Sequence, residues 1–143
     1  MARHRTAMAM RLAHVSILVP DYDAGIAFFG GIGFELREDR ELGGGKRWVT
    51  MGTPGAPTGL LLAKAVGDRQ QAMIGRQGGG RVWLFLETDR FEEDHQRMRA
   101  SGVSFEEPPR DEPYGRVAVR RDPWGNRWDL VQCASAPTSA VTD

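Results

Sequence analysis

A single cysteine, Cys133, stands in a chain of 143 residues. One thiol can form neither an internal disulfide nor a cysteine-rich zinc site, so the core must hold the fold. The count suits a reducing, cytoplasmic setting, and a lone late cysteine without activating surroundings reads as structural rather than nucleophilic. No apolar run approaches the roughly 20 residues that cross a bilayer. The opening MARHRTAMAM carries basic residues but no apolar stretch behind them, so no secretory signal is expected. Formal net charge is zero, which argues against non-specific binding to nucleic acid or to acidic membranes. Gly78-Gly79-Gly80 is not followed by a Lys-Ser/Thr pair and a helix, so it is no phosphate loop. No G-x-S-x-G elbow occurs.

What is present is ordinary in amount and informative in order. The chain is 41% hydrophobic and 27% charged, values of a globular protein. Its length suits one compact domain or two fused halves. HVSILV, His14 to Val19, reads as a strand ended by Pro20, and Asp21 can cap a helix from Asp23 to about Gly30. Strands follow near Phe34–Asp39, Arg47–Gly52 and Gly59–Ala65. Residues 67–79 read as a linker. The pattern then restarts: a strand at Val82–Leu86, a Thr88-Asp89 cap, a helix over Phe91–Ala100, and strands near Val103–Glu107, Arg116–Arg120 and Asn126–Gln132. Residues 1–9 and 134–143 read as a flexible lead-in and tail.

The restart is a repeat. Gly33-Phe34 matches Gly102-Val103, Arg47 matches Arg116, and Pro54 matches Pro123, each at an offset of 69 residues. Two copies of strand–helix–three strands make an α+β chain of two βαβββ modules, about 10–66 and 80–133, within one domain spanning 10–133. Each module should have a sheet with one face on its helix. Two free faces turned towards each other would form a curved mixed sheet around a central cup.

HVSILVPDYDAGIAFFGGIGFEL, followed by GRVAVRRDPWGNRWDLVQ, resembles the vicinal oxygen chelate superfamily of glyoxalases, bleomycin-resistance proteins and extradiol dioxygenases. The resemblance covers about Met10 to Gln132. It implies the glyoxalase/bleomycin resistance/dioxygenase fold, a small-molecule ligand in the cup and a homodimer, with the cup inside one chain or between two. Enzymes of the superfamily hold a divalent metal (Zn, Ni, Mn or Fe) on the first and last strands of each half. Carried over by position, those ligands fall on His14 and Asp129. The remaining two positions fall on Val82 and on Leu60 or Leu61, which cannot coordinate a metal. Two protein ligands fall short of the usual three, so no metal cofactor is expected; if one binds, His14 and Asp129 hold it.

Strand alternation sorts the remaining residues. Val15, Ile17 and Val19 should pack on the helix, leaving His14 for the cup. Trp128 and Leu130 likewise leave Arg127 and Asp129 for the cup. Taking Val117 and Val119 as the helix side puts Arg116 and Arg120 in the cup, and Arg47 follows as the equivalent of Arg116. Converging guanidinium groups suit a carboxylate or phosphate. Tyr114, in EPYGR, could close over the mouth. The expectation is a binding protein of bleomycin-resistance type for a small anionic ligand, with His14 and Asp129 as catalytic candidates should there be chemistry. The alternative is a metal-dependent lyase, isomerase or dioxygenase of glyoxalase I type with a degenerate site.

Overall fold

A computed structural model describes residues 9–134. Most of the lead-in and of the tail read from sequence lies outside these residues. The order is β1 (His14–Val19), α1 (Tyr22–Gly31), β2 (Glu35–Gly43), β3 (Lys46–Gly52), β4 (Gly59–Lys64), α2 (Gly67–Met73), β5 (Val82–Glu87), α3 (Phe91–Ala100), β6 (Ser104–Phe105), β7 (Arg110–Glu112), β8 (Gly115–Arg121) and β9 (Arg127–Cys133).

Local chemistry explains the boundaries. The Asp21 carboxylate accepts from the backbone N–H groups of Asp23 and Ala24 at 3.2 and 3.3 Å, so α1 starts where a side-chain cap permits. In the second module the expected Thr88-Asp89 cap is displaced. Arg90 occupies the cap position, while the Thr88 hydroxyl accepts from Arg90 N at 2.9 Å and donates to Asp94 at 2.6 Å. The strand expected over Val103–Glu107 shrinks to two residues, because Pro108 and Pro109 cannot donate to a ladder. Pairing with β8 resumes at β7. The linker read over 67–79 contains a short helix, α2, which buries no side chain; the Gln70 amide oxygen accepts from Val66 N at 2.8 Å at its start.

Four strands form the first sheet in the order β1-β4-β3-β2, and the second sheet runs β5-β9-β8-β6, with β7 also on β8. In each module the first and last strands pair in parallel, β1 with β4 and β5 with β9. The α+β fold of two duplicated modules is therefore as the sequence implies.

The structure also fixes which faces meet. The Phe29 ring of α1 lies 5.9 Å from Trp128 of β9, Phe34 lies 6.5 Å from Trp128, and Phe28 lies 5.7 Å from Trp124. These contacts cross between modules, and both sheets give side chains to one core: Ile17 and Leu62 from the first, Trp128 and Leu130 from the second. The helix-bearing faces thus share a core within the chain. The opposite faces, carrying exposed His14 and Ser16 on β1 and exposed Phe85 on β5, point away from it.

The D-P-W-G-N turn locks this arrangement. Asp122 Oδ1 accepts from Trp124 N, Gly125 N and Asn126 N at 2.9–3.1 Å, and Oδ2 accepts from Asn126 Nδ2 and Trp128 Nε1 at 2.9 and 3.0 Å. The linker presses on this turn. Gly75 has φ +76, and a Cβ there would lie 1.8 Å from Trp124 O, so only glycine fits. Two residues on, the Gln77 side chain accepts from Leu18 N at 2.8 Å and donates to Ser16 O at 3.1 Å, which covers part of the outer edge of β1. No helix among the described residues is long and apolar enough to cross a membrane.

Candidate ligand-binding faces

Residues directly opposite in a ladder share a face, so the register assigns every side chain of the two outward faces. On β9 the assignment matches the sequence reading. Trp128 and Leu130 enter the core, while Arg127, Asp129 and Val131 lie on the outward side.

On β8 the parity is the reverse of the one expected. Arg120 is opposite Trp128 and Ala118 opposite Leu130, so Arg116, Ala118 and Arg120 face the helices. Val117 and Val119 share the outward face with Asp129. The sequence reading gave the core to the valines because arginines rarely enter one. Here aromatic rings accept them. The Arg116 guanidinium lies 5.4 Å over Phe91 and pairs with Glu92 and Asp111 at 3.0 and 3.1 Å. Arg120 lies 4.7 Å over Trp128, is 0% exposed, and has no hydrogen-bond partner on its enclosed nitrogens. Burial pulls its pKa down to about 10.

Arg47 is corrected in the same way. It shares a face with buried Val49 and Met51, not with Trp48 and Thr50. Its guanidinium lies 5.1 Å over the Tyr22 ring, grips Asp39 with two nitrogens at 3.1 and 2.8 Å, and reaches Asp23 at 3.1 Å. Hydrogen bonds to Asp39 and Asp23 hold it above the usual arginine value. Arg127 does lie on the outward face, but it is spent on Glu106 at 2.8 and 2.9 Å and on Gly80 O at 3.1 Å. Tyr114 is 57% exposed beside Gly115, and its backbone oxygen accepts from Ala134 N. The four arginines do not converge, and the anion site expected from them is not assembled.

The outward face of the first sheet carries residues the sequence reading did not select. His14 meets Trp48 edge to face at 5.9 Å. The Glu38 carboxylate accepts from Trp48 Nε1 at 2.9 Å and from the Thr50 hydroxyl at 3.1 Å, and these bonds hold its pKa below the usual glutamate value. Ser16 is opposite Leu61 on the same face.

The outward face of the second sheet centres on Asp129 and Phe85, which are neighbours in the β5–β9 ladder. Phe85 is 65% exposed, far more than a large apolar side chain needs to be. Asp129 is 7% exposed, and its enclosed Oδ1 has no hydrogen-bond partner among the described residues. Burial raises its pKa above the usual aspartate value, against the pull of Arg110. Phe85 sits 69 residues after Ser16, so the repeat itself could have marked it.

These faces do not build a metal centre within one chain. His14 and Asp129 lie on outward faces of different sheets, with the shared core between them. The position equivalent to Asp129 is Leu61. A bulge between Val82 and Leu84 leaves either Val82 or Trp83 opposite the role of His14, and neither binds metal. Among the described residues no three His, Cys, Asp or Glu side chains converge. A cleft of about 410 Å³, lined by Val15, Ile32, Phe34, Leu60, Met98 and Trp128 among others, lies between the modules, and Phe85, Glu87, Asp94 and Arg97 also border it.

A family model of the Glyoxalase/Bleomycin resistance protein/Dioxygenase superfamily matches residues 11–130. An uncharacterized protein of Shewanella frigidimarina (strain NCIMB 400) is 44% identical over 128 residues, which span 87% of this chain and 95% of that one. The crystal structure of UcmS2 superposes with a TM-score of 0.74 at 32% identity, covering 87% of this chain and 98% of its own. TnmS3, an antibiotic binding protein from Streptomyces sp. CB03234, superposes with a TM-score of 0.71 at 28% identity, covering 90% of this chain and 100% of its own.

Proposed function

Because the chain belongs to the glyoxalase/bleomycin resistance protein/dioxygenase superfamily, we propose that it is a cytoplasmic binding protein that sequesters a small aromatic molecule without a metal. The observation that carries this reading is the outward face of the second sheet, where an exposed Phe85 ring adjoins an enclosed carboxylate with no ligating neighbour. A flat apolar platform with one placed polar group is what a small-molecule site needs. Likeness over nearly the whole chain to TnmS3, an antibiotic binding protein, supports the same reading.

One sheet is a shelf, not a cup. In a homodimer the outward face of one copy's first sheet, with His14, Trp48 and Thr50, would stand over the Phe85–Asp129 face of the second copy and exclude water from between them. His14 and Asp129 then act as ligand contacts, and Arg127 and Tyr114 belong to the rim. Even across two copies His14 and Asp129 supply two metal ligands, short of the usual three.

Light scattering at micromolar concentration and intrinsic tryptophan titrations with a panel of polycyclic aromatic antibiotics test the reading together. The expected result is a dimer with saturable, chelator-insensitive binding, weakened about tenfold by Phe85→Ala, the loss of one ring contact. A monomer, or stoichiometric bound metal with turnover of methylglyoxal–glutathione or a catechol, would replace this reading with the enzymatic one.

A further inference from the structure

The second sheet's outward face has a charge arrangement opposite to an anion site. Glu87, Glu112 and Asp129 lie on it with Arg110, Arg121 and Arg127, and Glu106 and Glu107 are paired to those arginines. Each arginine is already engaged. Arg121 and Arg127 share Glu106 at 3.0 and 2.8 Å, and Arg110 is held by Glu107 and by Glu112, the latter at 2.6 Å. Asp129 is in the middle and receives no hydrogen bond on Oδ1. A carboxylate taken out of water without a donor is held at a cost, and a donor that arrives with a ligand recovers it. On one side of Asp129 in the ladders is Phe85, and on the other Val119, so the donor must come on a body that tolerates an apolar setting. The face of a phenyl ring attracts cations and stacks with flat rings.

We propose that Asp129 selects ligands that carry a cationic or N–H-bearing nitrogen on a flat aromatic body, the nitrogen donating to its carboxylate while the body lies on Phe85. This rests on the binding reading above and adds the ligand's chemical class to it. An aromatic acid is disfavoured at the same place, because the excess carboxylates repel it and, among the described residues, every arginine on this face is taken.

Calorimetric titration of the full chain with three matched probes tests this: 2-naphthylmethylammonium, 2-naphthylmethanol and 2-naphthoate. The ammonium is expected to bind at least tenfold tighter than the naphthoate, with the alcohol between. Asp129→Asn, nearly isosteric, should bring the ammonium to within about twofold of the alcohol and leave the alcohol unchanged. Glu93→Gln removes a charge from the exposed side of α3, away from this face, and should change each affinity by less than about twofold, which separates a contact at Asp129 from the effect of net charge. Melting curves identify any variant that fails to fold, and Asp129→Ser then serves in its place. A preference for the ammonium that survives in the Asp129 variant, or Phe85-dependent binding with no preference among the probes, overturns the proposal alone. If no probe binds in a way that Phe85→Ala weakens, the binding reading falls with it.

Discussion

The Arg47 guanidinium lies 5.1 Å over the Tyr22 ring, on the first residue of α1, and reaches Asp23 beside it. Arg116 does the same to Phe91 and Glu92 at the start of α3, a displacement of 69 residues for all three positions. The duplication has therefore preserved a cation that pins the third strand of each module to the start of its helix.

If these arginines are structural pins, Arg47→Met and Arg116→Met should each lower the melting temperature and leave ligand affinity within about twofold of wild type. The two losses should add, because the sites share no partner. The Arg47 loss should shrink in molar salt, where exposed Asp23 is screened. Thermal circular dichroism with parallel titrations checks this; a variant that keeps its melting temperature and loses binding would return that arginine to the ligand site.

Phe29→Ala should cost about 3–5 kcal/mol, the usual range for removing a buried phenylalanine. Phe29 is 0% exposed and touches Trp128 of the other module, so the whole chain should unfold in one urea transition at a lower midpoint. Two separated transitions would show that the modules do not share a core.

Arg120→Met should stabilise the protein by about 1–3 kcal/mol. Stacking on Trp128 offsets only about 2 kcal/mol of the cost of enclosing an unpaired charge. Chemical denaturation gives the sign directly. A destabilised variant would mean that the guanidinium has acceptors in solution.

His95 is 8% exposed, lies against Phe91 and Phe105, and has an unpartnered Nε2. Burial, helped by the charge of Arg99, lowers its pKa below the usual histidine value. Its neutral form is therefore the one the fold prefers. That contribution is complete above the unfolded value of about 6.5 and is lost as pH falls below it. The melting temperature should drop as pH falls below about 6.5, and His95→Phe should flatten this part of the profile. An identical drop in the variant would assign it to other groups.

Much of the fold was legible because its signals are local. The bounds of β1 and α3 follow from HVSILV and from the Phe91–Ala100 run, and the repeat gave the two-module plan. The site was less legible because parity depends on what accepts a side chain. The alternation of β1 and β9 is apolar against polar and placed His14 and Asp129 on the outward faces. The alternation of β8 sets two valines against two arginines, and no rule of alternation says that Phe91 and Trp128 will stack on the arginines. Nor does it say that Glu38, on the neighbouring strand opposite Thr50, will bridge Trp48 and Thr50.

The Phe29–Trp128 contact also records how far the two copies have parted. At an offset of 69 residues the second module has Met98 where the first has Phe29, and Val103 where the first has Phe34. Trp128 stands where the first module has Leu60. One copy has become the knob and the other the socket. The two halves of the core are therefore no longer interchangeable, and each module supplies what the other lacks at this contact.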